Sequence, residues 1–276
     1  MTDFILQSTG TDTGFVAKFT DRIGRRPRPV SSSAWRWVDV VPDPALEALA
    51  FDFQTDAAFV PSKRSLTDYR LVVMDMDSTL ITIECIDEIA DQIGVKSQVA
   101  SITEAAMRGE LDFASALRRR VALLEGVPEE SLQKVYDQLL QLSPGAESML
   151  SSMRTAGLKT LLVSGGFTFF TDRLKARLNL DFTVANHLEV RGGRLTGQVL
   201  GAIIDAERKA VELRETCQRI GCDVRQSIAM GDGANDLRML AAAGVGIAYH
   251  AKPIVRQQAT HSIQFCGLDA VIPLFS

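Results

Sequence analysis

The sequence predicts an α/β protein with a doubly wound, mostly parallel sheet, a helical insertion and a small N-terminal domain. Three observations carry that reading. From about residue 146, the short apolar runs Thr160-Leu161-Leu162-Val163, Ser227-Ile228-Ala229-Met230 and Val245-Gly246-Ile247-Ala248 alternate with helical stretches, which is the pattern of βαβ units. A further run, Leu71-Val72-Val73, lies upstream, separated from the others by a long segment with helical period. Finally, three of these runs end in polar clusters: Asp75-Met76-Asp77-Ser78-Thr79, Ser164-Gly165-Gly166 and Gly231-Asp232-Gly233-Ala234-Asn235-Asp236. The carboxyl ends of parallel strands point the same way, so residues far apart in the chain can share one mouth.

Taken in order, residues 1–66 carry a serine cluster, Trp35 and Trp37, and close on the turn-rich Pro61-Ser62-Lys63-Arg64-Ser65. They read as an accessory domain with a modest core and no chemical motif. Residues 67–81 and 146–276 supply the sheet, and 82–145 the insertion. There Ile86, Ile89, Ala90 and Ile93 follow the i, i+3, i+4, i+7 spacing of a buried helix face, as do Leu132, Val135, Tyr136 and Leu139. Ala114, Leu117, Val121 and Leu124 share a face, and Pro128 before Glu129-Glu130 suits a helix start. Consecutive amphipathic helices without a strand between them predict a bundle. Leu188 to Val199, centred on Arg191-Gly192-Gly193-Arg194, reads as a β-hairpin.

Composition excludes several function classes. With 276 residues the chain holds one large domain with an appendage, or two modest ones. A hydrophobic fraction of 46% and a charged fraction of 23% are those of a folded globular chain. The net charge of −4 gives no footprint for nucleic acid, and the basic stretch Arg25-Arg26-Pro27-Arg28-Pro29 is short and broken by proline. No window approaches the roughly 20 apolar residues of a membrane span, and the start lacks the basic and apolar regions of a secretory signal. The expectation is a cytoplasmic protein with no nucleic-acid or membrane partner. Cys85, Cys217, Cys222 and Cys266 are scattered, as are His187, His250 and His261. Without a His/Cys cluster, a metal would be held by oxygen, which favours magnesium or a similar hard cation.

Asp75 and Asp77 are the most informative pair. At the end of one strand their carboxylates are expected on the same side, where they repel unless a cation compensates them. An EF-hand calcium loop is excluded, because the later ligands and the glycine turn are missing.

The order and spacing of these motifs resemble the haloacid dehalogenase (HAD) superfamily of phosphotransferases, and more narrowly its phosphoserine phosphatase branch, over about residues 70 to 265. The four motifs of the superfamily correspond to Asp75-Met76-Asp77-Ser78-Thr79, to Ser164, to Lys209 and to Gly231-Asp232-Gly233-Ala234-Asn235-Asp236. The resemblance implies a Rossmann-like core with a helical cap and a Mg2+-dependent phosphatase. Its reaction would be hydrolysis of O-phosphoserine through an aspartyl-phosphate, the last step of serine biosynthesis.

On this resemblance Asp75 is the nucleophile and Asp77 the general acid and base. The metal is held by the Asp75 carboxylate, the Asp77 carbonyl and Asp232. Ser164, Gly165, Lys209 and Asn235 bind the phosphoryl group. Asp236 orients Lys209 or metal-bound water, and Thr79 supports the turn. In the cap, Glu84 faces the substrate ammonium and Arg120 its carboxylate, with Arg118 and Arg119 as alternatives on the same basic helix face. Met107 and Phe113 line the pocket or belong to the core. A cap on two linkers is expected to open and close over the site. Two other readings stand beside this one: a sibling enzyme acting on another phosphomonoester or passing the phosphoryl group to an alcohol, and a non-catalytic sensor of phosphoserine or serine. The oligomeric state is left open, a homodimer included.

Overall fold

The computed structural model describes residues 1–10 and 13–275. The N-terminal unit runs β1 (Thr2–Gln7), α1 (Gly14–Ile23), β2 (Arg28–Ser31), β3 (Ala34–Trp37), α2 (Pro44–Asp52), β4 (Asp56–Pro61). This βαββαβ chain forms an antiparallel sheet of order β2-β3-β1-β4. Its helices cover one face, where Phe4, Leu6, Phe19, Trp37, Leu46 and Ala50 pack as a separate core. Trp37 is buried there because its indole N–H has a partner, the Arg25 carbonyl at 2.9 Å. Asp43 caps α2 by accepting from the Ala45 N–H, and Pro44 fixes its first turn.

The main sheet begins with β5 (Leu71–Met74), after which the cap leaves the core. Its helices are α3 (Cys85–Gln92), α4 (Lys96–Met107), α5 (Phe113–Ala122) and α6 (Glu129–Lys134), the last continued by a wide turn over Val135–Leu139. Ile93 departs from the expected helix face: α3 ends at Gln92 and Ile93 is 39% exposed. Gly94, with φ of 73°, reverses the chain before another turn can bury it. Leu139, in the closing turn, is likewise 38% exposed.

The core resumes with α7 (Ala146–Thr155), β6 (Lys159–Phe167), α8 (Thr168–Leu178), β7 (Phe182–Arg191) and β8 (Arg194–Leu200). It closes with α9 (Ala206–Ile220), β9 (Ser227–Gly231), α10 (Leu237–Ala242), β10 (Val245–Tyr249), α11 (Pro253–Gln258) and β11 (His261–Ile263). The order is β11-β10-β9-β5-β6-β7-β8, parallel except for the β7–β8 hairpin. Strand β5 is central, and its alternate residues enter opposite cores. Val72 and Met74 pack with Met149, Leu150 and Phe170 of α7 and α8; Leu71 and Val73 pack with Leu213, Met239 and Leu240 of α9 and α10. Burial on both faces is why this strand is a continuous apolar run, and each such side chain contributes about 1.5–3 kcal/mol.

The hairpin spans core and cap. The first half of β7 pairs with β6, whereas its second half pairs with β8. The far end is fastened to the cap by backbone bonds of 2.9 Å: Gly126 to Leu195, Leu195 to Val127, and Glu129 to Gly193. Gly197, in a left-handed conformation (φ 76°), lets the hairpin lie against α5, because a Cβ there would come within 3.3 Å of the Ala122 backbone.

Candidate active site

Strand β5 stops at Met74, so both aspartates of its polar cluster stand on the loop beyond it. The sequence expectation that strand alternation aligns them is therefore corrected. The pair stands instead on a tight loop, with Ser78 in a left-handed conformation (φ 55°). Its backbone is held by the Asp75 N–H on the Met230 carbonyl (3.0 Å) and the Ser78 N–H on the Ile83 carbonyl (3.3 Å).

Lys209, on α9, is 1% exposed and places Nζ 2.6 Å from Asp75 Oδ2 and 2.8 Å from Asp236 Oδ1. The helix that delivers it is capped by Asp205, whose carboxylate accepts from the Arg208 N–H. Asp75 Oδ1 accepts from the Met76 N–H at 2.7 Å. Asp236 Oδ2 accepts from the Gly233 N–H at 3.1 Å, so both oxygens of this buried group already have donors. Among the described residues, Asp232 receives only the Thr79 hydroxyl, at 3.0 Å. Ligand atoms of Asp75, Asp232 and Asp236 lie within 4.8 Å of one another.

Electrostatics follow from this crowding. Burial, and then the charge of Asp236, push Asp75 up, although Lys209 pulls it down. Burial and then Asp236 raise Asp232 to about 6. Burial alone would lower Lys209, but the charges of Asp236 and Asp75 hold it above its ordinary value. Three carboxylates to one ammonium leave an acid surplus, and all the donors are oxygens. That set fits a hard divalent cation.

Ser164 and the glycines after it line the opposite side. Ser164 Oγ accepts from the Gly166 N–H at 2.8 Å. A Cβ on Gly166 would stand 2.9 Å from Asp77 Oδ2 and 2.8 Å from Met76 Cε, so no side chain fits between this loop and the Asp77 carboxylate. The cap reaches the same loop, since a Cβ on Gly165 would come 2.9 Å from Phe113 Cζ. Asp77 Oδ1 accepts from the Cys85 N–H (3.3 Å). Burial, and then the charge of Glu84, raise Asp77 to about 7. Asn235 folds its carboxamide oxygen back over Gly233, where a Cβ would lie 2.1 Å from it.

Among the cap residues, Glu84 accepts from the Ser78 hydroxyl at 2.7 Å, and desolvation in the cleft raises it. Arg120 is turned inward: burial lowers it, while the charges of Asp87, Glu84 and Asp77 act to raise it. Its Nε is buried with no hydrogen-bond partner among the described residues. Arg118 and Arg119 are exposed. Met107 is 62% exposed, with its sulfur 3.3 Å from Lys252 Nζ, and the structure does not bring it into the buried cluster.

Sequence reasoning missed Asn186. It is 1% exposed on β7; its Nδ2 donates to the Gly165 carbonyl (2.7 Å) and its Oδ1 accepts from the Ile204 N–H (2.9 Å). One amide thus ties the Ser164 loop to the segment leading into α9. The signal available was a lone Asn after Phe182-Thr183-Val184-Ala185, a polar residue at the end of a strand-like stretch.

The sequence matches the family model for haloacid dehalogenase-like hydrolases over residues 72–241. It is 54% identical over 214 residues to a phosphoserine phosphatase of Polaromonas sp., covering 76% of this chain and 91% of that one. The fold is similar to that of a HAD family hydrolase from Salmonella enterica serovar Typhi, with a TM-score of 0.90 at 33% identity, covering 100% of this chain and 99% of the other. It is also similar to an unliganded probable phosphoserine phosphatase from Vibrio cholerae, with a TM-score of 0.86 at 38% identity, covering 99% of this chain and 86% of that one.

Proposed function

The chain belongs to the haloacid dehalogenase-like hydrolases, and from that premise we propose that it releases phosphate from O-phospho-L-serine through an aspartyl-phosphate on Asp75. Arg120 is the observation that carries the substrate choice. A guanidinium drawn into the protein with Nε unpartnered feels the charges of Asp87, Glu84 and Asp77 but forms no ion pair with them among the described residues, and the amino-acid head group of phosphoserine supplies a carboxylate that can. Glu84 is the matching site for the ammonium.

In the first half-reaction a carboxylate oxygen of Asp75 bonds to phosphorus as the bond to the serine oxygen breaks, and Asp77 gives that oxygen its proton. Burial suits Asp77 to this task, because a carboxyl raised to about 7 is still partly protonated near neutrality. In the second, Asp77 takes a proton from water as the water oxygen attacks phosphorus, restoring the Asp75 carboxylate. Lys209 holds Asp75 in place and neutralises phosphoryl oxygens, assisted by Ser164, the Gly165 N–H and Asn235. Asp236, with both oxygens engaged, orients Lys209.

Members of this family generally use Mg2+, and the residues that would hold it are Asp75 and Asp232 through carboxylates and Asp77 through its carbonyl. When bound, the ion offsets the acid surplus and withdraws charge from the phosphoryl group. The four cysteines are free, and no helix among the described residues is long and apolar enough to cross a membrane. We assign the enzyme to the cytoplasm, in the terminal step of serine biosynthesis.

The test is phosphate release from O-phospho-L-serine with and without Mg2+, beside a panel of sugar and nucleotide phosphates. Metal-dependent turnover selective for phosphoserine is expected. Preference for another phosphoester would overturn the substrate, and ligand binding without turnover would leave a sensor.

A further inference from the structure

Two sheet edges face each other where the N-terminal unit meets the core. Strand β4 is the outer strand of one sheet and β11 of the other, and their ladders do not join. Specific bonds fix the two walls. The Asp56 carboxylate accepts from the N–H groups of Gln264 (2.6 Å), Phe265 (3.1 Å) and Cys266 (2.8 Å). Arg36 Nη2 donates to the Pro273 carbonyl at 2.8 Å, and Gln7 Nε2 to the Ala270 carbonyl at 2.9 Å. Between the walls lies a cleft of about 420 Å³, within the range of small-molecule sites and at the kind of interface where they occur.

Its lining is unusual for a packing gap. Arg256 Nε, Ser262 Oγ and Gln264 Oε1 are buried without a hydrogen-bond partner among the described residues, and all three side chains belong to this one cleft. Buried polar groups without partners are rare in native proteins and call for an explanation. The Arg256 guanidinium forms no ion pair among the described residues and lies 5.8 Å from the Phe51 ring. Across the junction, Glu47 on α2 lines the open rim of the cleft, exposed and without an ion pair among the described residues. Phe51 and Phe265, with ring centroids 5.4 Å apart, supply an apolar wall.

We propose that this junction cleft is a second ligand site, separate from the catalytic mouth, that takes a free α-amino acid or a zwitterion of similar size. A simple anion would satisfy Arg256 and leave the buried acceptor Gln264 Oε1 unmatched, and an amine would do the reverse. A zwitterion meets both: its carboxylate takes the Arg256 N–H and the Ser262 hydroxyl, and its ammonium takes Gln264 Oε1 and Glu47. Its side chain rests against the two phenylalanine rings. Recognition of this kind is directional, because a guanidinium pairs with a carboxylate in a fixed plane.

The experiment uses the full chain carrying Glu84→Gln and Arg120→Met, so that amino-acid binding at the catalytic mouth is removed. Calorimetric titrations with glycine, serine, leucine and phenylalanine are run beside acetate and methylammonium. At least one amino acid is expected to bind with 1:1 stoichiometry, to weaken at least tenfold on adding Arg256→Gln or Glu47→Gln, and to outcompete both half-ligands. No binding by any of the four, binding indifferent to both added changes, or acetate binding as tightly as the amino acid would each overturn the proposal. Arg256→Gln alone is expected to keep phosphoserine turnover within twofold, which certifies its fold. Absence of phosphatase activity in the parent chain would overturn the catalytic reading and leave this titration unaffected.

Discussion

Two buried polar regions, one at the carboxyl ends of β5, β6 and β9 and one where β11 meets the N-terminal unit, treat charge in opposite ways. At the junction the fully buried charges are matched, with Arg36 paired to Asp3 at 3.3 Å and Asp56 satisfied by three backbone N–H groups; Arg256 and Glu47, unpaired among the described residues, are not fully buried and line its cleft. At the mouth, Asp75, Asp232 and Asp236 share a single ammonium, Lys209. Matched charge fixes one part of the chain against another. Surplus charge is retained where a ligand or a reaction will use it, since it costs stability otherwise.

The difference can be broken most severely at Asp75. Asp75→Asn keeps the shape and removes the proposed nucleophile, so turnover should fall by roughly 10⁴-fold or more. Because a surplus acid is also removed, the melting temperature should hold or rise; a fall in stability alongside activity would contradict the charge-surplus description. Lys209→Met should lose turnover as well and, by leaving Asp75 and Asp236 uncompensated, cost roughly 3–5 kcal/mol in denaturant titrations. Arg36→Met is the control from the matched region: a similar stability loss is expected, with kcat/KM on phosphoserine changed less than twofold in the folded fraction. Equal effects of the two substitutions on turnover would erase the contrast.

A weaker probe is pH. Burial, then the charge of Arg64, lowers His261 to about 4, and its Nε2 lies 2.7 Å from Arg64 Nη1. The neutral ring accepts that bond in the folded state, whereas in the unfolded chain the ring protonates near 6.5. Between those values the unfolded state binds more protons. The stabilisation is therefore fully present above pH 6.5 and is lost as pH falls toward 4, by at most about 3 kcal/mol. The raised carboxylates of the mouth act with the opposite sign. The difference between the parent chain and His261→Gln isolates the junction term, and a flat difference between pH 4 and 7 would remove His261 from it.

How legible each region was in the sequence follows from the same contrast. The mouth announces itself, because Asp75, Ser164 and Asp232 come straight after apolar runs that can only be buried strands. The junction does not. Asp56 acts through the backbone of residues 264–266, and Arg36 sits between two tryptophans in a strand too short to show alternation. Asn186 was hidden for a related reason: its partners are main-chain groups from two other segments. Ile93 satisfied the helical period and still lies outside the helix, since Gly94 ends it, a stop that residue spacing alone does not register. Arg120 could not be told from Arg118 and Arg119 by type; only the folded helix turns one of the three inward.

The most direct test of the division between a core that performs the chemistry and a cap that reads the substrate is kcat/KM for two substrates in Arg120→Met. O-phospho-L-serine carries the carboxylate that Arg120 would hold, and p-nitrophenyl phosphate does not. A drop of about 10²-fold for phosphoserine, from the roughly 1.5–3 kcal/mol of a hydrogen bond to a charged group, with p-nitrophenyl phosphate nearly unchanged, is the predicted result. Equal losses on both substrates would contradict it and make Arg120 a structural residue of the cap.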